Sequence, residues 1–568
     1  MERLKNHHKR IIHLLLWCSL CVIAAFNDTA TAQAEKNSVL QWTAADLLPA
    51  ESRYSILRYG AFGLGAYPQR INFPGAAVKV RFDGVPLYAL SPFGPDLDCV
   101  PVAFVDSVSY GSRGGISIHS PEIDSDVPIT NTNFLLGQKR RFRIQATFRK
   151  KTGDSGSIFF GGSSNGIHGG DYTETTSFRN YLMKYQRTLK DGGRMYFSIR
   201  AFRDRDGLRD LTNKTHMGER ETDIITLTSG VHAIPLTERT SISPAVYYQS
   251  GISHFKRYGA SKSLDDDAIG FSLTSSTVRG NTGLDLTVHS DSRFIDSRLH
   301  EDTWTNNDSR ISGSWRWADN SLRYVVRGGI VRSSTYGTGG NGESELVYSV
   351  TPSIELSVRG SVADEVPDIG LEFYPSLEFS DTTATSDLDM YRIMEFESGL
   401  KVNRGILMSG LYAFRVHGKH PLFNPLQSLS TMADKETCSG FRFFMNVHEE
   451  GRYQADISLH YRNSSKTENI WPNPVFDMVS YSQISKKFIH DRLDTSLFCT
   501  MNLSDWSDGQ VTPDGTFFFL DGGISVKVLS LTMFYMIENI TGNEAEWFDT
   551  LNWQGRNSMW GVQWRLEN

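Results

Sequence analysis

Five stretches of the 568-residue chain have residue types and spacing that could support chemistry. Gly162-Ser163-Ser164-Asn165-Gly166 fits the G-x-S-x-G spacing of a hydrolase nucleophile. That motif needs a strand before the serine and a helix after it, and Ile167-His168-Gly169-Gly170-Asp171 is a poor helix start. Gly337-Thr338-Gly339-Gly340-Asn341-Gly342 fits G-x-G-x-x-G, but a pyrophosphate needs a helix N-terminus there, and Leu346-Val347-Tyr348 reads as strand. Both are expected to be loops. Asp265-Asp266-Asp267 could offer hard oxygen ligands to a cation, and reads more simply as a solvated run in an outer loop. His417 and His420 could touch a metal-bearing ligand, but two histidines do not make a metal site. Cys99, Cys438 and Cys499 form neither a disulfide framework nor a zinc pattern. No catalytic residue, resident metal or cofactor is assigned, and the chain is not expected to be an enzyme.

The elements around these motifs carry a stronger signal. From about residue 140 onward apolar and polar residues alternate with period two, the mark of half-buried strands. Met394, Phe396, Leu400 and Val402 oppose Glu395, Glu397 and Lys401, and Ile311, Trp315 and Trp317 oppose Ser312, Ser314 and Arg316. Ile369, Leu371, Phe373, Leu377 and Phe379 show the same pattern. Short turns are expected at 191–193, 318–320, 403–405, 449–451 and near Ser530. Long polar loops are expected at roughly 204–220, 251–267, 290–308, 333–345, 418–436, 463–474, 503–515 and 541–556. Short and long connections that alternate belong to an outer-membrane barrel, whose turns are short on the periplasmic side and long outside. A string of secreted β-sandwiches would alternate in hydropathy without that pairing of loop lengths.

Strands of about ten residues suit a tilted crossing of a bilayer. About twenty-one can be counted from Phe142, and Val127 to Leu136 supplies one more, giving an even number. The expected fold class is therefore all-β: a transmembrane antiparallel β-barrel of about 22 strands, a size whose lumen is plugged in known transporters. On the last strand Trp560, Val562, Trp564 and Leu566 share one face, expected to meet outer-membrane lipid. Met559, Gly561, Gln563 and Arg565 share the other.

The N-terminus sets the compartment. Arg3, Lys5, Lys9 and Arg10 precede the apolar run Ile11 to Phe26, and Ala30-Thr31-Ala32 offers a cleavage site, so residues 1–32 read as a signal peptide. Those residues hold four basic and two acidic side chains, which leaves a net charge of −8 on the remainder and argues against nucleic acid as a partner.

Residues 33–125 differ from the barrel segment, 126–568, in their Gly, Pro and mixed patterning. In order they contain Asp83-Gly84-Val85-Pro86, Val100-Pro101 followed by Phe104-Val105-Asp106-Ser107-Val108, and Gly114-Gly115-Ile116-Ser117-Ile118. With TMFYMIENITG (532–542) and Gly555-Arg556 near the other end, this resembles the TonB-dependent outer-membrane receptors. The resemblance implies an N-terminal plug in the lumen, with Asp83, Gly84, Val85, Pro86, Pro101, Gly114 and Gly115 as its structural or gating motif. It also implies location in the outer membrane and binding of a scarce solute such as a metal chelate, cobalamin or glycan. TonB would be the periplasmic partner, for which SVLQW (38–42) is a weak match to a contact box. The alternative is a structural or adhesive barrel, or a passive porin, without energised transport.

Overall fold

The computed structural model describes residues 41–567 apart from 49–52, 59–65, 71–72, 88–94, 111–114, 123–125, 139, 154, 169–174, 210–215, 258–259, 298–301, 368–387, 420, 425–428, 433–434, 450, 465–474, 490–491, 506–515, 543–545, 548–550 and 553–555. The signal-peptide assignment, Gly114, His420, and the alternation at Ile369–Phe379 lie outside the described residues.

Strands from Ile129–Gly137 to Asn557–Glu567 form one closed antiparallel barrel of 22 strands. Each strand pairs with the next in sequence, and the last closes on the first, with Trp560 opposite Leu136 and Leu566 opposite Thr130. The even count depends on Ile129–Gly137, the strand expected at 127–136. Ile354–Glu365 pairs directly with Tyr391–Arg404.

The faces are inverted relative to a soluble sheet. Phe396 is 53% exposed on the outside, while its neighbour Glu397 is 2% exposed on the inside. Leu497 and Ile330 stand about as open as Phe396 on the same outer surface. Backbone groups within a bilayer must be paired internally, which a closed barrel achieves and an open sheet cannot. A barrel with a greasy exterior and a charged interior is thus an outer-membrane architecture.

At one end the connections are tight. Gly192, Gly405 and Gly451 take φ of 85°, 60° and 71°, the left-handed conformation that glycine reaches without steric cost. These are the turns expected at 191–193, 403–405 and 449–451. At the other end four expected loops are corrected, the first at 204–220, where Arg194–Arg209 stays paired with His216–His232 out to Arg209 opposite His216. Residues 251–267, 290–308 and 333–345 lie mostly in strands, because Thr240–Arg257 and Ala260–Arg279 remain paired out to Arg257 opposite Ala260. Asp302–Ala318 and Gly337–Thr351 extend in the same way. These hairpins outrun the apolar belt, so both faces turn polar and period two fades, although the backbone ladder continues. The 418–436 loop contains a small hairpin of its own, Pro421–Asn424 with Leu429–Met432.

The N-terminal segment fills the lumen. Lys79–Phe82 runs parallel to Gly115–His119, flanked by Val85–Pro86 and Ser107–Tyr110. Tyr54–Arg58, Ala66–Arg70 and Phe73–Ala77 make a second small sheet. Val80, Phe82, Phe104, Ile116 and Ile118 form one apolar cluster with the barrel residues Phe159 and Leu182. Plug and wall share a core.

The plug and barrel interface as candidate functional site

The site is assembled from turns in the plug and charges on the wall. Asp83 and Gly84 both have positive φ, 49° and 83°, which makes a tight two-residue turn. The Asp83 carboxylate accepts from the Ser120 amide at 2.8 Å and the Ser120 hydroxyl at 2.6 Å. Lys184 on the barrel wall then donates to the Ser120 oxygen at 2.6 Å. The turn is thus tied to the wall through a hydrogen-bond relay. Val85 is buried beside it and Pro86 half-buried. Gly115 lies where a side chain would press on the Lys79 carbonyl, at 3.2 Å, so a small residue lets the parallel strands approach.

Pro101 joins the N-terminal end of the plug to its seal. It bridges to Thr43, and the Val102 amide donates to the Trp42 carbonyl at 3.0 Å. Gln145 on the wall donates to the same carbonyl at 3.0 Å. The Trp42 ring is buried against Phe534, Met559 and Leu135, where the first and last barrel strands meet. Three residues further on, Phe104 is 1% exposed and packs edge-on to Phe159, with centroids 6.2 Å apart. Its ring occupies the space a Gly161 side chain would need. Gly161→Leu should therefore push Phe104 off the wall at about 1–3 kcal/mol. We expect faster amide exchange at Val102–Phe104 by about tenfold or more, measured by mass spectrometry.

The opposite wall holds the plug by charge. Arg53 meets Glu397 at 3.0 Å, and Glu397 also meets Arg442 of the barrel at 3.3 Å. Arg70 meets Glu365 at 2.8 Å, with Lys79 3.8 Å from the other oxygen of Glu365. Arg359 links Glu343 at 3.1 Å to Glu395 at 3.2 Å and continues the alternation along the wall. Burial works against the Arg70 charge, but Glu365 together with Tyr54 and Tyr391 outweighs it and holds the guanidinium pKa above its ordinary range. Burial pushes the neighbouring Tyr54 phenol up to about 12. Charges this buried persist because they are paired.

Sequence reasoning identified Glu395 and Glu397 as wet-face residues but not their partners Arg53 and Arg442. The available signal was a lone Glu or Arg recurring on the inner face of adjacent strands.

The other motifs resolve differently. Asp266 points inward and is held bidentately by Arg293, with Oδ1 at 2.7 Å from Nε. Asp267 points outward to the Tyr248 hydroxyl at 3.3 Å, so the acidic run splits between faces instead of converging. The expectation of a loop there is corrected to strand. Gly337–Gly342 lies in the strand Gly337–Thr351, and Gly162–Gly166 in Gly156–His168. Neither motif is a loop and neither precedes a helix. His417 Nδ1 lies 2.9 Å from the Thr437 hydroxyl. Among the described residues no cluster of three or more His, Cys, Asp or Glu could hold a metal. On the closing strand Trp560 and Trp564 are exposed outside, while Met559 is buried inside.

No family model matches the sequence, and no curated relative matches it. Solved structures do match over nearly the whole chain. The FrpB iron transporter from Neisseria meningitidis (F3-3 variant) is 13% identical with a TM-score of 0.74, covering 95% of this chain and 97% of that one. The copper transporter OprC is 12% identical with a TM-score of 0.75, covering 95% and 99%. The siderophore receptor PirA from Acinetobacter baumannii is 11% identical with a TM-score of 0.71, covering 95% and 98%. At such identities the likeness is one of fold.

Proposed function

From the premise that this chain has the plugged-barrel fold of the TonB-dependent outer-membrane receptors, we propose that it binds a scarce solute outside and passes it to the periplasm. The observation that carries this reading is the closed lumen. A wide barrel is filled by the chain's own N-terminal segment, which is held by a relay at Asp83, ion pairs at Arg53 and Arg70, and an aromatic seal at Phe104. These are separable contacts, suited to an obstruction that moves. Iron, copper and siderophores are what the similar structures carry by name, and a metal chelate, cobalamin or glycan is the solute class proposed here. In this reading Trp560, Val562, Trp564 and Leu566 face outer-membrane lipid, the two tryptophans sitting at its interface.

Energy coupling through TonB is supported by the route from the N-terminus to the seal. Thr43 bridges Pro101, and Pro101 leads within one short turn to Phe104. A pull on residues upstream of Trp42 would load the Trp42 contacts and the Thr43 bridge before the rest of the described plug. Crosslinkers placed at residues 33–45 in intact cells should capture the TonB C-terminal domain. Absence of that adduct in cells carrying the folded receptor would remove energised transport and leave the adhesive or passive-porin reading.

A further inference from the structure

The G-x-S-x-G stretch has no catalytic setting, yet it carries a second anomaly. Ser163 and Asn165 lie on the inner face of Gly156–His168 and Asn180 on the inner face of Thr175–Thr188, with Ser163 directly opposite Asn180. Asn165 is 0% exposed, and neither its Oδ1 nor its Nδ2 has a hydrogen-bond partner among the described residues. The same holds for Ser163 Oγ and Asn180 Nδ2, each on a residue no more than 5% exposed. Buried polar groups are nearly always bonded, so a cluster of unbonded ones calls for a partner that the described residues do not supply.

One register step from this cluster toward the short-turn end, Leu182 and Gly161 meet the Phe104 seal. The unbonded groups sit just beyond it, on the long-loop side. The plug segment Leu97–Phe104 borders them, since Cys99 packs on Phe178, the residue opposite Asn165. That segment is itself held from the N-terminal side, Val100 accepting from the Ala44 amide at 2.8 Å and Thr43 donating to Asp98 at 2.9 Å. Of the charges nearby, Asp204 pairs with Arg220 at 3.2 Å, and Arg143, opposite Asn165 on the adjacent strand, lies over the Trp42 ring.

We propose that Ser163, Asn165 and Asn180 form a hydrogen-bonding station on the solute's path, uncovered when Leu97–Phe104 moves, for a neutral group bearing hydroxyls or amides. The unbonded set offers both donors and acceptors and carries no charge of its own, which suits a polyol or amide face. This deepens the importer reading and rests on it.

The test uses the full mature chain with Cys99, Cys438 and Cys499 replaced by serine. Asn165→Cys and Asn180→Cys should react with a water-soluble maleimide at least tenfold faster than Phe444→Cys, equally buried on the opposite part of the lumen wall. Adding Phe104→Ala should speed the first two by a further tenfold and leave the third unchanged. Equal rates, or no response to Phe104→Ala, would overturn the station. In planar bilayers, maltotetraose should block the current through Phe104→Ala, and Asn165→Ala with Asn180→Ala should abolish that block. No block, or a block indifferent to both substitutions, would overturn the ligand class. If the cysteine variants do not fold, amide exchange of the unsubstituted chain serves instead. Leu97–Phe104 should exchange faster than Ala66–Arg70, and the reverse order counts against the proposal. Failure of import itself would appear separately, as absent uptake in cells with these rates intact.

Discussion

A chain that keeps residues 1–32 but lacks 33–120 will assemble as a barrel and conduct several-fold more current per channel than the full chain. The reason lies in what each part contributes. Closure of the 22 strands needs no plug residue, since the last strand pairs with Ile129–Gly137 and every strand with its sequence neighbour. Removing the plug exposes wall residues such as Glu365, Glu397 and Lys184, but to water that can solvate them. The small apolar patch at Phe159 and Leu182 becomes wet as well, at a cost of roughly 1.5–3 kcal/mol for each side chain fully exposed. That is small against the strand ladders. What the barrel loses is its obstruction, and a lumen of this size without one is an aqueous channel. Single-channel recording in planar bilayers measures the difference directly. Conductance equal to that of the full chain would mean that the N-terminal segment does not fill the lumen.

Glu397→Ala should be the most damaging single substitution on the charged wall. Glu397 is 2% exposed and serves two guanidinium groups, Arg53 of the plug and Arg442 of the barrel. Arg442 is itself only 3% exposed and lies 4.4 Å from the Tyr412 ring centroid, so it cannot turn to water. Removing Glu397 strips this buried charge of its ion-pair carboxylate, a loss that costs about 3–5 kcal/mol. Urea unfolding in detergent should show a loss of that size. The double variant Glu397→Leu with Arg442→Met should recover most of it, because removing both charges removes the desolvation penalty too. Arg53→Ala should cost far less, since Arg53 is partly open to water and its loss leaves Glu397 paired. If Arg53→Ala proved as severe as Glu397→Ala, the plug and not the wall would be the dominant consumer of this charge.

Much of this architecture can be read from the chain itself, and the reasons are local. Alternation at Met394–Val402 assigns Phe396 outward and Glu397 inward because successive strand side chains point to opposite faces. Gly192 and Gly405 mark turns because the left-handed conformation requires them. Asp83-Gly84 reads as a turn because Asp-Gly is a common turn pair. What stays hidden is what depends on distant partners. Nothing near Gly161 announces that Phe104 will lie on it, and nothing near Glu397 names Arg53. The strand ends at 251–267 and 333–345 are hidden for a different reason. Period two reports which face is greasy, and it goes silent where a hairpin stands in water with both faces polar, although its backbone pairing continues. The unbonded cluster at Asn165 is equally invisible, because a sequence shows polar residues and not their missing partners.

The leading segment of this chain sits inside a membrane barrel made by the rest of it. The most direct measurement places the photoreactive aromatic benzoylphenylalanine at position 104, illuminates intact cells, and maps the adduct in the outer-membrane fraction. The account predicts an intramolecular bond to Gly156–His168 or Thr175–Thr188, the strands that carry Phe159, Gly161 and Leu182. A product found in the soluble fraction, or one in the envelope whose residue 104 joins to nothing in those two strands, would contradict it.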